Sequence, residues 1–127
     1  MEEPTTFRRA VEAHSLDEMM AVFAEDAVLH SPITFHPFEG RPAIRQLLGI
    51  LLEVFEDFHY TDEMVAKDGT RGLIFRARVD GRELEGIDLI RFDERGLIRD
   101  FTVMIRPRSA LEKLLAAVGS RLAAAKA

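Results

Sequence analysis

The chain has 127 residues, with 17 basic and 22 acidic side chains, a formal net charge of -5 with histidines neutral, and no cysteine. That length suits one domain around one core, and the acidic balance argues against the broad positive field that nucleic acid or an anionic membrane favours. The absence of cysteine excludes disulfides, thiolate nucleophiles and cysteine metal sites, and suits a reducing, cytoplasmic compartment.

Met1, Glu2, Glu3 and Pro4 lack the basic start and apolar run of a secretory signal, and no stretch reaches the 18 apolar residues of a membrane span. From Thr5 to His14 the spacing of Phe7, Ala10 and Val11 predicts a short helix. Ser15 then reads as the cap of a second helix, with Glu18 three residues later and Met19, Met20, Val22 and Phe23 following. Ala27 to Ser31 reads as a short strand that Pro32 ends. The next stretch, Ile33 to Gly40, carries Phe35, His36, Pro37 and Phe38 and predicts an irregular loop able to cover a pocket.

Pro42 suits the first turn of a third helix, and Ile44, Leu47, Leu48, Leu51, Leu52, Val54 and Phe55 give it a wide apolar face. It is expected to be the longest helix, packed on the sheet. Beyond Phe58 the period shortens to two, and turns are signalled at Lys67-Asp68-Gly69-Thr70, Asp80-Gly81 and Asp93-Glu94-Arg95-Gly96. A meander of four antiparallel strands from Phe58 to Arg106 is therefore expected.

Leu84, Ile90 and Phe92 oppose Ile87 and Leu89 across one of these strands, and Phe101, Val103 and Ile105 oppose Ile98 and Met104 across the next. Apolar residues on both faces predict that the outer sheet face is covered, either by the C-terminal segment or by another subunit, and a homodimer through that face is the expectation. Ser109, with Glu112 as partner, reads as the cap of a last helix through Leu111, Leu114, Leu115, Val118 and Leu122. Its alanine-rich end from Ala123 is expected to fray.

Three segments together resemble a known family. They are Leu16 to Val28, then Pro32, Gly40 and Ala43-Ile44-Arg45, then Gly86 to Phe92 with Gly96. These phrases are similar to SnoaL-like and ketosteroid-isomerase-like proteins of the nuclear-transport-factor-2 (NTF2-like) superfamily, over residues 5 to 106. The resemblance implies an α+β, NTF2-like cone of three N-terminal helices packed on a strongly curved antiparallel sheet, with residues 107 to 127 as a C-terminal helical extension. Ketosteroid isomerases use a carboxylate base, a tyrosine and a second acid, and the matching positions here are Ser31, Phe7 and Asp88. Only the last is retained. A serine without a partner base is too weak to abstract a proton from carbon, and phenylalanine has no donor for an oxyanion.

Asp88 shares a strand face with Leu84, Gly86, Ile90 and Phe92, where burying an ionised carboxylate is costly; a pocket or a raised pKa resolves the conflict. The candidate catalytic set is Asp88, with His36 in the aromatic loop and Tyr60, the only tyrosine, as companions. His59 and Tyr60 face opposite ways if their strand is regular. Phe7, Ser31, Phe35, Phe38 and Phe55 are the candidate ligand contacts. No metal motif or glycine-rich nucleotide loop is present, so no cofactor is expected. The sequence thus reads as a protein that binds a small apolar organic molecule, with a cofactor-independent isomerase, cyclase or hydrolase step at Asp88 as the enzymatic version. The alternative is a non-catalytic ligand-binding or dimerisation protein in which Asp88 is structural. No nucleic-acid or membrane partner is expected.

Overall fold

A computed structural model describes residues 5–125. Residues 1–4, where a signal was argued absent, and 126–127, the tip of the alanine-rich end, lie outside the described residues. Two short helices, α1 (Thr6–Glu12) and α2 (Leu16–Ala21), open the chain. Each starts on a side-chain cap: the Thr5 hydroxyl accepts from the Arg8 N–H at 3.0 Å, and the Ser15 hydroxyl accepts from the Glu18 N–H at 3.2 Å. Caps of this kind satisfy amides that the first turn leaves orphaned.

Strands β1 (Phe23–His30) and β2 (Phe38–Glu39) come next, then α3 (Arg41–Val54). The meander follows as β3 (Glu56–Val65), β4 (Arg71–Val79), β5 (Arg82–Phe92) and β6 (Ile98–Arg106), and α4 (Arg108–Ala125) closes the chain. At the β4–β5 turn both Asp80 (φ 50°) and Gly81 (φ 77°) are left-handed. A two-residue hairpin of this twist requires that, and it is why Asp-Gly signals one.

The expectation of three N-terminal helices on a strongly curved, purely antiparallel sheet is corrected. The six strands form one mixed sheet in the order β2-β1-β6-β5-β4-β3, and β1 runs parallel to β6. A parallel pair needs a long crossover, here the segment holding β2, α3 and the rest of the meander. Only α1 and α2 precede the sheet; α3 is inserted between β2 and β3, and β2 and β3 stand as opposite edges.

Other boundaries move for local reasons. Phe23, read as the end of a helix, starts β1 because it pairs with Ile98 ahead of a register shift. The same pairing buries Ile98, which was assigned to the outer face. Helix α4 begins at Arg108 because the Pro107 carbonyl accepts from the amides of Ala110 and Leu111, both at 3.1 Å, so Ser109 lies inside the helix. With 18 residues α4 also exceeds the 14 of α3, reversing the expected order of length.

The core lies between the inner sheet face and the helices. Phe7, Phe23 and Phe101 meet there with centroids 5.0 to 5.9 Å apart. A second aromatic group joins Phe55, Phe58, Tyr60 and Phe75, with Phe58 stacked on Phe75 at 4.8 Å. Between these groups the packing leaves a hollow. On the outside, arginines pair across strands, Arg76 and Arg106 with Glu85 and Arg91 with Asp100.

Candidate active site: an apolar cavity around Asp88 and Tyr60

Strand β5 delivers Asp88 to the inner face by simple alternation, and its register partners are Leu73 on β4 and Val103 on β6. The residue is 5% exposed, at the edge of a cavity of about 300 Å³ whose walls are mostly leucine, isoleucine, valine and phenylalanine. Burial among these groups pushes the Asp88 carboxyl up from its ordinary value of 3.8 to about 8, and the Tyr60 hydroxyl works in the opposite direction. At neutral pH the group is therefore mainly a neutral acid, able to donate a hydrogen bond.

Tyr60 reaches the same cavity from β3 and is 9% exposed. Among the described residues its hydroxyl is buried with no hydrogen bond of good geometry, and Asp88 is the carboxyl that interacts with it. It is near enough to Asp88 for each to perturb the other, and burial first, then the Asp88 charge, push the phenol pKa up. The Arg8 guanidinium sits over the Tyr60 ring at 5.5 Å and is itself held by Glu12 and Glu63. A buried hydroxyl with nothing to bond costs stability. In a cavity wall, that cost is relieved when a ligand brings an acceptor.

Strand β3 departs from regular alternation at this end. Its register on β4 shifts between Glu56 and His59 and again between Tyr60 and Asp62. Bulges bend a strand and break its pairing, and Asp57, Phe58, His59 and Tyr60 all border the cavity, as do the exposed Glu12 and His14. His59 and Tyr60 nevertheless face opposite ways as expected, since no shift falls between them: exposed His59 pairs with Arg76, and buried Tyr60 with Phe75. The sequence signal for the first shift is weak: Asp57, at φ 52°, belongs to a residue type that tolerates left-handed backbone.

A SnoaL-like domain model matches residues 5–101. The chain belongs to the SnoaL-like family. Among solved structures it is similar to a steroid delta-isomerase from Pseudomonas aeruginosa, with 42% identity and a TM-score of 0.87 over 91% of this chain and 85% of that one. A protein with a cystatin-like fold from Silicibacter pomeroyi is 29% identical, with a TM-score of 0.86 over 91% of this chain and 82% of that one. The epoxide hydrolase/cyclase-like enzyme SalBIII, of pyran-ring formation in the polyether salinomycin, shares the fold at 17% identity and a TM-score of 0.68, over 82% of this chain and 87% of that one. No curated protein matches the chain.

Within this SnoaL-like framework the structure brings Asp88, Tyr60, Phe7, Ser31 and Phe55 to one cavity. His36, Phe35 and Phe38 are not among its lining residues. Phe35 is fully exposed and His36 exposed on the loop after β1, while Phe38 is half-buried in β2 against the core. The Ser31 hydroxyl accepts from the amides of Ile33 and Thr34, at 3.2 and 3.4 Å. It therefore holds the turn out of β1, where the resemblance places a base. His30, on the other side of the strand, pairs with Asp100 at 3.3 Å. Among the described residues no cluster of three or more histidines and carboxylates is placed to hold a metal, and no helix is long and apolar enough to cross a membrane.

Proposed function

We propose that this SnoaL-like chain binds a small, largely apolar molecule carrying a carbonyl oxygen, and that Asp88 and Tyr60 donate to that oxygen. The observation that carries the reading is the pair of neighbouring O–H groups in an apolar cavity, one a carboxyl kept protonated by burial, the other a buried hydroxyl with no hydrogen bond of good geometry among the described residues. Two donors aimed at one oxygen stabilise negative charge as it develops there, which is the requirement for enolate-forming isomerase and cyclase chemistry. The 42% identical relative described as a steroid delta-isomerase supports reactions of this kind. Asp88 acts in this reading as the acid that holds the oxygen, with no metal or organic cofactor in the step.

The probe that tests it is 2-acetylnaphthalene, an apolar ketone whose emission is read against a chain with no tryptophan. Binding to the wild type is expected, and Tyr60→Phe and Asp88→Leu should each lose about tenfold in affinity, the worth of one buried hydrogen bond. Equal affinity in all three proteins would reject the donor pair.

The same proposal includes pairing of two copies through the outer sheet face. Met64, Ile74, Ile87, Leu89 and Met104 lie outside the core there, and Met64, Ile87 and Leu89 converge over Gly72.

A further inference from the structure

An ion-pair chain passes over the Tyr60 ring and joins three elements of the fold. On α1, Arg8 bonds Glu12 one turn on, at 3.3 Å. The other end of the same guanidinium bonds Glu63 on β3 at 3.1 Å, and Glu63 accepts from Arg71 on β4 at 2.7 Å. The Arg8 and Glu63 side chains are only 23% and 13% exposed, so their attraction is screened less than that of a surface pair.

Glu63 reaches this position because of the second register shift of β3. Between Tyr60 and Asp62 the partner on β4 advances by a single residue, from Phe75 to Ile74, so Thr61 is the extra residue of a bulge. Regular alternation from the inward Tyr60 would carry Met64 inward and Glu63 outward. Instead Glu63 stands opposite the wholly buried Leu73, and Met64 turns out over Gly72. A carboxylate is thereby set on the inner side of the strand, and the guanidinium it holds lies 5.5 Å from the centroid of the Tyr60 ring.

A cation on the face of a phenol is attracted to the ring and favours negative charge on its oxygen. Burial is the main influence raising the Tyr60 phenol pKa; the charges of Asp88 and Glu12 add to it, and the Arg8 charge opposes them. Glu12 borders the cavity, so without Arg8 its carboxylate would face the same site uncompensated. Arg8 itself is not among the lining residues, and any effect it has on a ligand is passed on through its neighbours.

We propose that Arg8 is a positioning residue of this cavity: clamped between Glu12 and Glu63, it orients the Tyr60 ring and strengthens the hydroxyl as a donor to a ligand oxygen. The inference rests on the carbonyl-binding reading above. As negative charge grows on that oxygen, the hydroxyl proton is drawn toward it, and the cation over the ring stabilises the charge left on the phenol oxygen. The bulge at Thr61 and the donor at Tyr60 are in this way parts of one device, the first supplying the carboxylate that fixes the cation over the second.

2-Acetylnaphthalene carrying carbon-13 at its carbonyl reads both affinity and donor strength, because the carbonyl carbon resonance moves downfield as hydrogen bonds to the oxygen strengthen. Arg8→Met should lose about threefold in affinity and move the bound resonance upfield, part of the change produced by Tyr60→Phe. Arg8→Lys, which keeps the cation, should recover part of both. In a Tyr60→Phe background Arg8→Met should change affinity by less than about twofold, since the ring is then present without its hydroxyl. Should Arg8→Met fail to fold by circular dichroism, Glu63→Gln loosens the same clamp and is expected to give the same loss and the same upfield shift. Wild-type affinity and resonance in these variants, or an equal loss with and without the Tyr60 hydroxyl, would overturn the positioning role while leaving the donor pair standing. A wild type that does not bind the ketone, or binds it no better than Tyr60→Phe does, would overturn the carbonyl-binding reading, and the role of Arg8 with it.

Discussion

Asp88 is the residue whose chemistry is most altered by the fold, and the alteration has a measurable consequence for stability. Its carboxyl is raised from 3.8 to about 8 by burial, so between those pH values the folded chain keeps a proton that the unfolded chain releases. The folded state binds more protons in that window, and stability must therefore fall as pH rises through it, by about 1.4 kcal/mol per pH unit for one such group. Below the window both states are protonated and the penalty is absent; above it both are ionised and the full penalty remains. Asp88→Asn mimics the neutral acid at every pH and removes this slope. Urea unfolding at pH 5 and pH 7 should show the variant gaining about 2–3 kcal/mol on the wild type between the two. Parallel pH dependences would mean that Asp88 ionises in the folded state as it does in the unfolded one.

At the scale of elements, β4 and β5 show how closely the cavity floor is fitted. Gly86 pairs with Phe75, and a Cβ built at Gly86 would collide with the tip of the Phe75 ring and stand 2.8 Å from the Met104 carbonyl. The missing side chain is what lets the Phe75 ring lie across β5 and stack on Phe58. Gly86→Ala should consequently cost about 1–3 kcal/mol, as overpacked sites do, and appear as a lower urea midpoint with an unchanged slope. A variant as stable as the wild type would show that the ring can swing aside freely. The elements themselves were largely legible. Thr5, Ser15 with Glu18, Pro42 and Asp80-Gly81 act on their immediate neighbours, so their chemistry can be read from a few residues. Asp88 was legible as well, being a carboxylate among alternating apolar residues. The bulges of β3 were not, since two residues opposing one is a property of the pairing with β4. The partnership of β1 with β6 was hidden for the same reason: it joins residues about 70 positions apart and leaves no local pattern.

At the scale of the whole molecule, the described residues leave an apolar stripe uncovered on the outer face of the sheet. Helices α1 to α4 pack on the inner side, while Met104 and Met64 remain 50% and 47% exposed, and Ile74, Ile87 and Leu89 half-buried, on the sheet. The register aligns Ile74, Ile87 and Met104 across three adjacent strands. The paired side chains of Arg76, Glu85 and Arg106 form the neighbouring row. An apolar stripe beside already neutralised charges can be buried without stranding an ion, which favours a self-complementary contact about a twofold axis. Under such an axis any substitution enters the interface twice. Met104→Asp should accordingly convert a two-chain particle into a one-chain particle by light scattering, while far-UV circular dichroism stays that of the wild type. The cavity lies on the opposite side of the sheet, so ketone binding by the separated variant should remain within a few-fold of the wild type. A wild type of single-chain mass would remove the pairing from the proposal without touching the cavity. A Met104→Asp particle that keeps two chains would place the contact elsewhere on the molecule.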